Sequence, residues 1–348
     1  MRILVYSDPH WCEYSSIVRK RGDKYSLRLE NLIKSINWVE DLSKEKNCNV
    51  SICCGDFFDK SELNASEITA LKEINWNRAI PHYTIIGNHE MGSSDLSISS
   101  SHLFSYLNCE FNVVDRPFID DFGDVELAFI PYVLEADRKP IEEYISYPPT
   151  KKRILFTHND IKGIQMGKFI SQAGFDIKEI ENICSLCFNG HLHNGEKVSS
   201  KILNVGNLTG QNFSEDASKY RHGAYIIDTD TLDYEFIENP YAFNFWKIDH
   251  SVSVDDFGEP VVQSSLAKLD KNIVCTIKTT NPEYERDAIS RLCNNVVEYR
   301  LIIANNISKE VTIQEEFSVD HIKQFNDYIL ANLENTEILL QELAEVCQ

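Results

Sequence analysis

The sequence predicts an α/β fold, and two observations lead there. Through the first 240 residues, short apolar runs rich in β-branched side chains alternate with segments whose apolar residues recur at helical spacing. Polar and ionisable residues gather just after the ends of the strand-like runs, where open α/β sheets place their ligands.

The elements follow in order. Ile3 to Tyr6 is a strand ending at Ser7-Asp8; from Ser26 to about Lys46, Leu29, Leu32, Ile33, Ile36 and Val39 mark a helix. Val50 to Cys54 is the next strand, stopped by Gly55, and Ala65 to Trp76 has a helical pattern. His82 to Ile86, stopped by Gly87, then Ile154 to Thr157, Leu186 to Asn189 and Ile202 to Val205 are further strands, and Tyr225 to Asp228 forms a hairpin with Tyr234 to Glu238. Glu238 to Ala242 reads as a link. Beyond it, Ile248 to Val254, Val261 to Leu269, Ile273 to Ile277, Glu283 to Leu292 and Val296 to Ile303 spell strand, helix, strand, helix, strand. From Ser318 the tail reads as a helical hairpin with acidic outer faces. The expected boundaries are 1–242, 243–308 and 309–348.

Composition narrows the class. Of 348 residues, 43% are hydrophobic and 11% aromatic, ample for a large core and against disorder. No apolar run approaches the roughly 18 residues that span a bilayer, and the N-terminus lacks a signal peptide's zones, so a soluble cytoplasmic protein without membrane contact is expected. Ten cysteines without a regular framework suit reduced thiols. The one C-x-x-C, Cys184 and Cys187, sits in an apolar run that reads as a buried strand rather than a zinc or redox site. The formal charge of −20 weighs against nucleic-acid binding, yet it is unevenly spread: residues 310–348 hold nine acids and one base, whereas Arg19, Lys20, Arg21, Lys24 and Arg28 cluster around a single Asp23.

Five short segments place a metal-capable side chain at or beyond a strand end: Asp8-Pro-His10, Gly55-Asp-Phe-Phe-Asp59, Gly87-Asn-His-Glu90, Thr157-His158 and Gly190-His-Leu-His193. Singly each is commonplace; together they supply carboxylate, imidazole and amide donors fit for a pair of divalent cations. Two cations about 3.5 to 4 Å apart repel and need a bridging carboxylate. Asp56, after a turn-permitting glycine, suits that role. Asp8 and His10, like His191 and His193, are alternate residues that project to one side. Asn88 offers a neutral oxygen that keeps the centre electropositive.

In this order the motifs resemble those of the calcineurin-like metallophosphoesterase superfamily: D-x-H, G-D-x-x-D, G-N-H-[DE], H and G-H-x-H, spanning Asp8 to His193. The resemblance implies a β-sandwich flanked by helices. It implies one metal held by Asp8, His10, Asp56 and His193 and a second by Asp56, Asn88, His158 and His191. His89 would contact the scissile phosphate as general acid or electrostatic catalyst, and Asp59 and Glu90 would orient ligands. The implied cations are two, with Mn²⁺ foremost and Mg²⁺, Fe²⁺ or Zn²⁺ as alternatives. Lys60-Ser61 after Asp59 departs from the D-R-G of Ser/Thr protein phosphatases.

Within that superfamily the remaining features resemble the nuclease subunit of the double-strand-break repair complex, especially phage recombination endonuclease subunits. They are the opening Met1 to His10, Thr157 to Gly163, Asn204 to Leu208, Arg221 to Asp228 and Phe236 to Tyr241. This implies a small α/β capping domain, a helical tail that docks a coiled-coil ABC-type ATPase, a homodimer, and exonuclease and endonuclease action on DNA, in the host cytoplasm if the chain is phage-encoded. Arg19, Lys20, Arg21 and Lys24, directly after the first motif, are the candidate DNA edge. Two rival functions stand beside this one: a phosphodiesterase or phosphatase acting on a small molecule or protein, and a non-catalytic scaffold for the ATPase.

Overall fold

The computed structural model describes residues 1–14, 18, 21–166, 169–249, 252–254, 260–262, 272–279 and 282–303. Two six-stranded mixed sheets form its centre. In the first, β1 (Arg2–Tyr6), β2 (Val50–Cys53), β3 (His82–Ile85) and β4 (Phe111–Val114) run parallel; β13 (Gly223–Asp228) pairs antiparallel with β1, and β14 (Tyr234–Glu238) closes the edge. In the second, β6 (Val125–Ile130), β7 (Lys152–Thr157), β10 (Leu186–Asn189) and β12 (Ile202–Asn204) run parallel between antiparallel edges β5 (Phe118–Asp121) and β11 (Glu196–Lys197).

Strand alternation divides the apolar side chains between two layers. Ile3, Val5 and Ile52 point inward and meet Leu127, Phe129, Phe156 and Phe188 of the other sheet. Tyr83 stacks on Phe129 across that interface at 4.8 Å. Leu4 and Tyr6 face outward onto Leu29, Leu32, Ile36 and Val39 of α1 (Leu27–Glu45), whose start is capped by the Ser26 side chain. On the far side, Leu155 and Cys187 pack against Ile180 and Ile183 of α3 (Ile177–Ile183). The result is a β-sandwich with helices outside both sheets. Cys184 caps α3 and Cys187 lies within β10; both are buried thiols pushed up by burial, Cys184 to about 12.

Four sequence expectations change, the last of them at Val261. The helix from Ala65 stops early: α2 spans Ala65–Ala70 and a 3-10 turn follows at Leu71–Glu73. The cause is Asn37 of α1, whose amide donates to the Glu73 carbonyl and whose oxygen accepts from Asn75 N–H. β4, β5 and β6 are additional strands; in β6 the pattern is hidden by Glu126, which is buried because Arg153 binds its carboxylate at 2.8 and 3.0 Å. The smaller sheet starts earlier than expected, with β15 (Asn244–Asp249), because Phe243 and Phe245 pack on Val274.

β15 pairs with β18 (Ile273–Thr279), which pairs with β19 (Val296–Ile303), all parallel, and α4 (Pro282–Leu292) makes the crossover between the last two. Two-stranded pairs, β8 (Gln165–Met166) with β9 (Phe169–Ile170) and β16 (Val252–Val254) with β17 (Pro260–Val262), complete the strands among the described residues. The expected helix Val261 to Leu269 begins in β17 and continues outside the described residues, as does the acidic tail. No helix among the described residues is long and apolar enough to cross a membrane.

One buried acid on α1 gives the fold a pH dependence. Glu40 is pushed up to about 7 by burial; its Oε2 accepts from Asn77 N–H, while its Oε1 lies 3.9 Å from His82 Nδ1 with no hydrogen bond. His82 bonds the Asn77 carbonyl through Nε2, so the proton sits there and Nδ1 is a lone pair. Two acceptors therefore face each other, which favours the protonated carboxyl. A raised acid pKa stabilises the fold below its unfolded value, here 4.5, and that advantage is lost as pH rises to about 7. Glu40→Gln should therefore gain stability over the native chain as pH climbs through this window, by about 3 kcal/mol at most. Urea unfolding at pH 5 and pH 8 measures it.

Candidate metal centre

The parallel strands of both sheets point the same way, so their C-terminal ends deliver five loops to one place. β1 leads to Asp8 and His10, β2 to Asp56, β3 to Asn88 and His89, β7 to His158, and β10 to His191 and His193. Three sets of potential ligand atoms result, Asp8 with His10 and His193, Asp56 with His158 and His191, and, sharing His10 with the first, His10 with Asp59 and His89; within each set the atoms lie within 4.8 Å of one another.

Asp56 stands between the first two. Its Oδ2 is 3.1 Å from His158 Nε2 and 3.8 Å from His10 Nε2, and its Oδ1 accepts from His89 N–H at 2.9 Å. Asn88 Oδ1 lies 2.9 Å from His191 Nδ1 and 3.2 Å from His158 Nε2. On the other side, His10 Nε2 and His193 Nε2 approach to 3.2 Å. Seven side chains named from the sequence are thus brought together.

The backbone is strained to allow it. Asp8, His10, Asp56 and His191 have φ of 49°, 49°, 48° and 78°, a region that side-chain-bearing residues rarely adopt. Gly55 precedes Asp56 at φ 98°, and a Cβ there would fall 2.2 Å from His158 Nδ1. A Cβ on Gly87 would fall 2.2 Å from Asp56 Oδ1. Glu90 holds these loops together: its carboxylate, fully buried, accepts from Phe58 N–H at 3.0 Å and Gly87 N–H at 2.8 Å. Asp59 orients His10, 3.1 Å from its Nδ1, and its carbonyl takes the Nδ1 proton of His89 at 2.9 Å. His89 is 42% exposed, at the mouth of the centre.

The electrostatics call for positive charge. Burial opposes the Asp56 carboxylate, but His158, His10 and His89 outweigh it and hold it below the ordinary carboxylate range. Against burial, Asp59 and Asp8 push His10 up to about 10, and Asp56 pushes His158 up to about 9. Asp8 Oδ1 is buried without a hydrogen-bond partner, a costly state for a carboxylate oxygen. An unpaired carboxylate oxygen, facing imidazole nitrogens and a mixed O/N donor set are what borderline divalent cations bind. The residues present fit such ions.

Other residues escaped the sequence reading. Asp160 lies 3.2 Å from His191 Nε2, and its position two after His158 was the available signal. Glu215 lies 4.0 Å from His193 Nδ1 and Gln211 donates to the Asp8 carbonyl, neither with a local signal; Arg28, counted above with the basic cluster, is instead buried and donates to the Pro9 carbonyl. Asn159 and Asn189 exchange hydrogen bonds at 3.0 Å, and Asn204 donates to the carbonyls of Leu192 and Asn194, pinning the histidine loops. Of the basic edge, Arg19 and Lys20 lie outside the described residues, Arg21 is exposed, and Lys24 is paired with Glu73.

Residues 1–202 match the family model described as calcineurin-like phosphoesterase. A probable exonuclease subunit 1 of Escherichia phage T5 is 28% identical over 245 residues, which cover 68% of this chain and 69% of that protein. Among solved structures, an archaeal phosphodiesterase is 15% identical with a TM-score of 0.35, over 68% of this chain and 99% of its own. A purple acid phosphatase from yellow lupin (Lupinus luteus) seeds is 16% identical with a TM-score of 0.38, over 56% and 38%.

Since Gly87 lets Asp56 stay where it is, Gly87→Ala should weaken Mn²⁺ uptake by roughly tenfold or more. Isothermal titration calorimetry of the native and variant chains reads this directly.

Proposed function

The chain belongs to the calcineurin-like phosphoesterase family, and from that premise we propose that it is a metal-dependent DNA nuclease, hydrolysing phosphodiester bonds as an exonuclease on duplex ends and an endonuclease on single strands. The observation behind phosphoester chemistry is Asp56, a buried carboxylate with His10 on one side and His158 on the other. The choice of DNA is supported by the similarity to the phage exonuclease subunit over two thirds of both chains.

Asp8, His10, Asp56 and His193 would hold one cation, and Asp56, Asn88, His158 and His191 the other. Bound there, a pair of divalent ions, Mn²⁺ in this reading, supplies Lewis acidity to the phosphoryl oxygens and lowers the pKa of a water. The remaining work belongs to the protein. The Asp59 carbonyl accepts from His89 Nδ1–H, which fixes the ring; with both ring nitrogens protonated, Nε2–H would point to a phosphoryl oxygen or give its proton to the departing oxygen. Asp59 and Asp160 fix the rings of His10 and His191, and Glu90 locks the two loops that carry Asp56 and Asn88.

The relative's name is that of a subunit, which supports a partner for this chain; in this reading the partner is a coiled-coil ABC-type ATPase and the chain a homodimer. In this assignment residues 1–242 are the nuclease domain, 243–308 the cap, and 309–348 the ATPase-docking tail. An ATPase that contributes most of the duplex-binding surface accounts for a nuclease chain of charge −20, with Arg19, Lys20 and Arg21 as its own local basic edge.

Labelled DNA and bis(4-nitrophenyl) phosphate, each with Mn²⁺, test the reading. DNA cleavage abolished by a chelator supports it; hydrolysis of the small ester alone transfers the assignment to a small-molecule phosphodiesterase, and inactivity toward both leaves a scaffold. His89→Ala should lower kcat on DNA by about 100-fold while Mn²⁺ uptake by calorimetry is retained. Reversing the charges of Arg19, Lys20 and Arg21 should weaken cleavage and flatten its dependence on salt.

A further inference from the structure

A cleft of about 430 Å³ opens beside the metal centre, within the range of about 300 to 1,000 Å³ typical of small-molecule sites. Three segments form its walls, the first and third of them tied to the centre. The first is the loop after Glu90, a closed turn in which Gly92 N–H bonds the Ile98 carbonyl at 2.8 Å and His102 Nε2 the Leu96 carbonyl at 3.1 Å. Leu96, at its tip, is turned into the cleft, 4% exposed at φ 61°. The second is the link from β4 to β5, with Arg116 and Pro117. The third is the long loop after β6, from Pro131 to Tyr144, in which Tyr132 N–H bonds the Ile86 carbonyl and Val133 N–H the Asn159 side chain, both at 2.9 Å.

Tyr132 joins the cleft to the chemistry. Its ring centroid is 5.8 Å from that of His191 and 6.5 Å from that of His158, and its hydroxyl makes no hydrogen bond among the described residues. A flat aromatic face thus lies beside two of the residues that would hold cations. Around it are Leu96, Pro117, Val133 and Tyr144; of the charged lining, Asp115 pairs with Arg116 and Glu143 with Lys139, which leaves Asp95 and Asp137 as the surplus acids at the rim. Such a rim repels phosphate. It suits a neutral ring whose edge offers N–H donors to carboxylates, as the amino groups of adenine, cytosine and guanine do.

We propose that this cleft receives one unpaired nucleobase flanking the scissile phosphate, stacked on Tyr132. The inference rests on the nuclease reading and deepens it, because a base can enter only once it has left the duplex stack. The sugar-phosphate backbone then passes over the metal centre while the base turns aside, which makes the cleft a sensor for single-stranded or frayed DNA.

The test uses the full-length Mn²⁺-loaded chain and single-stranded oligonucleotides carrying one abasic residue at successive positions around a mapped cleavage site. An abasic residue at one neighbouring position should raise KM about tenfold, the loss of one base–aromatic stack. In Leu134→Trp, which fills the cleft, KM for the intact strand should rise to the level of the abasic one, and the abasic penalty should disappear. Equal KM at every abasic position in the native chain, alongside efficient cleavage, overturns the inference and leaves the nuclease reading standing. A chain that hydrolyses bis(4-nitrophenyl) phosphate and no oligonucleotide overturns both.

Discussion

A carboxylate stripped of water must be met by positive charge or by donors, and Asp56 is met by both. His89 N–H holds one oxygen while His158 and His10 lie near the other. Packing two carboxylates, an asparagine oxygen and four imidazoles this closely is unfavourable for an ordinary protein interior, and the surroundings carry the cost. Four of the converging residues sit at positive φ, and the glycines at 55 and 87 leave no space for a methyl group. Strain concentrated this way is expected where the final occupant is a pair of cations that repays it on binding.

The sandwich provides the rigidity that such a centre needs. Aromatic side chains from both sheets fill the interface, with Tyr83 stacked on Phe129 and Phe129 on Phe156. Because the ligand-bearing loops leave the C-terminal ends of parallel strands, a rigid interface fixes the spacing between β1, β2 and β3 on one sheet and β7 and β10 on the other. Buried asparagines complete the job at the loops themselves. Asn159 and Asn189 tie the turn that bears His158 to the end of β10, and the same Asn159 anchors the loop of Tyr132 and Val133. The metal centre and the adjoining cleft are therefore parts of one hydrogen-bonded frame.

The thiols fit this picture of a protein whose chemistry lies elsewhere. The described cysteines are free, and most are buried. Cys53 and Cys54, one strand end away from Asp56, are pushed well up by burial and neighbouring acids, which keeps them protonated and poor nucleophiles. Cys54 serves instead through its carbonyl, which takes the Nδ1 proton of His158 at 2.7 Å and fixes the ring.

The chain by itself determined the residue types of the centre and their order, because paired cations demand oxygen and imidazole donors, and a turn after each strand demands glycine close by. Periodicity was equally direct for α1, whose Leu29, Leu32, Ile36 and Val39 are buried, and the apolar run for β10. Glu126 in β6 broke that pattern through a partner 27 residues away, Arg153, and Asn37 ended α2 from another helix. Arg28 and Glu215 support the centre from partners 19 and 22 residues away, and Gln211 from one 203 residues away. Only the tertiary structure decided such contacts, since a hydrogen bond between distant segments leaves no mark on the local spacing of either one. It alone also set the cleft beside Tyr132, whose walls come from three loops that share no motif and meet only because the sheets pack face to face.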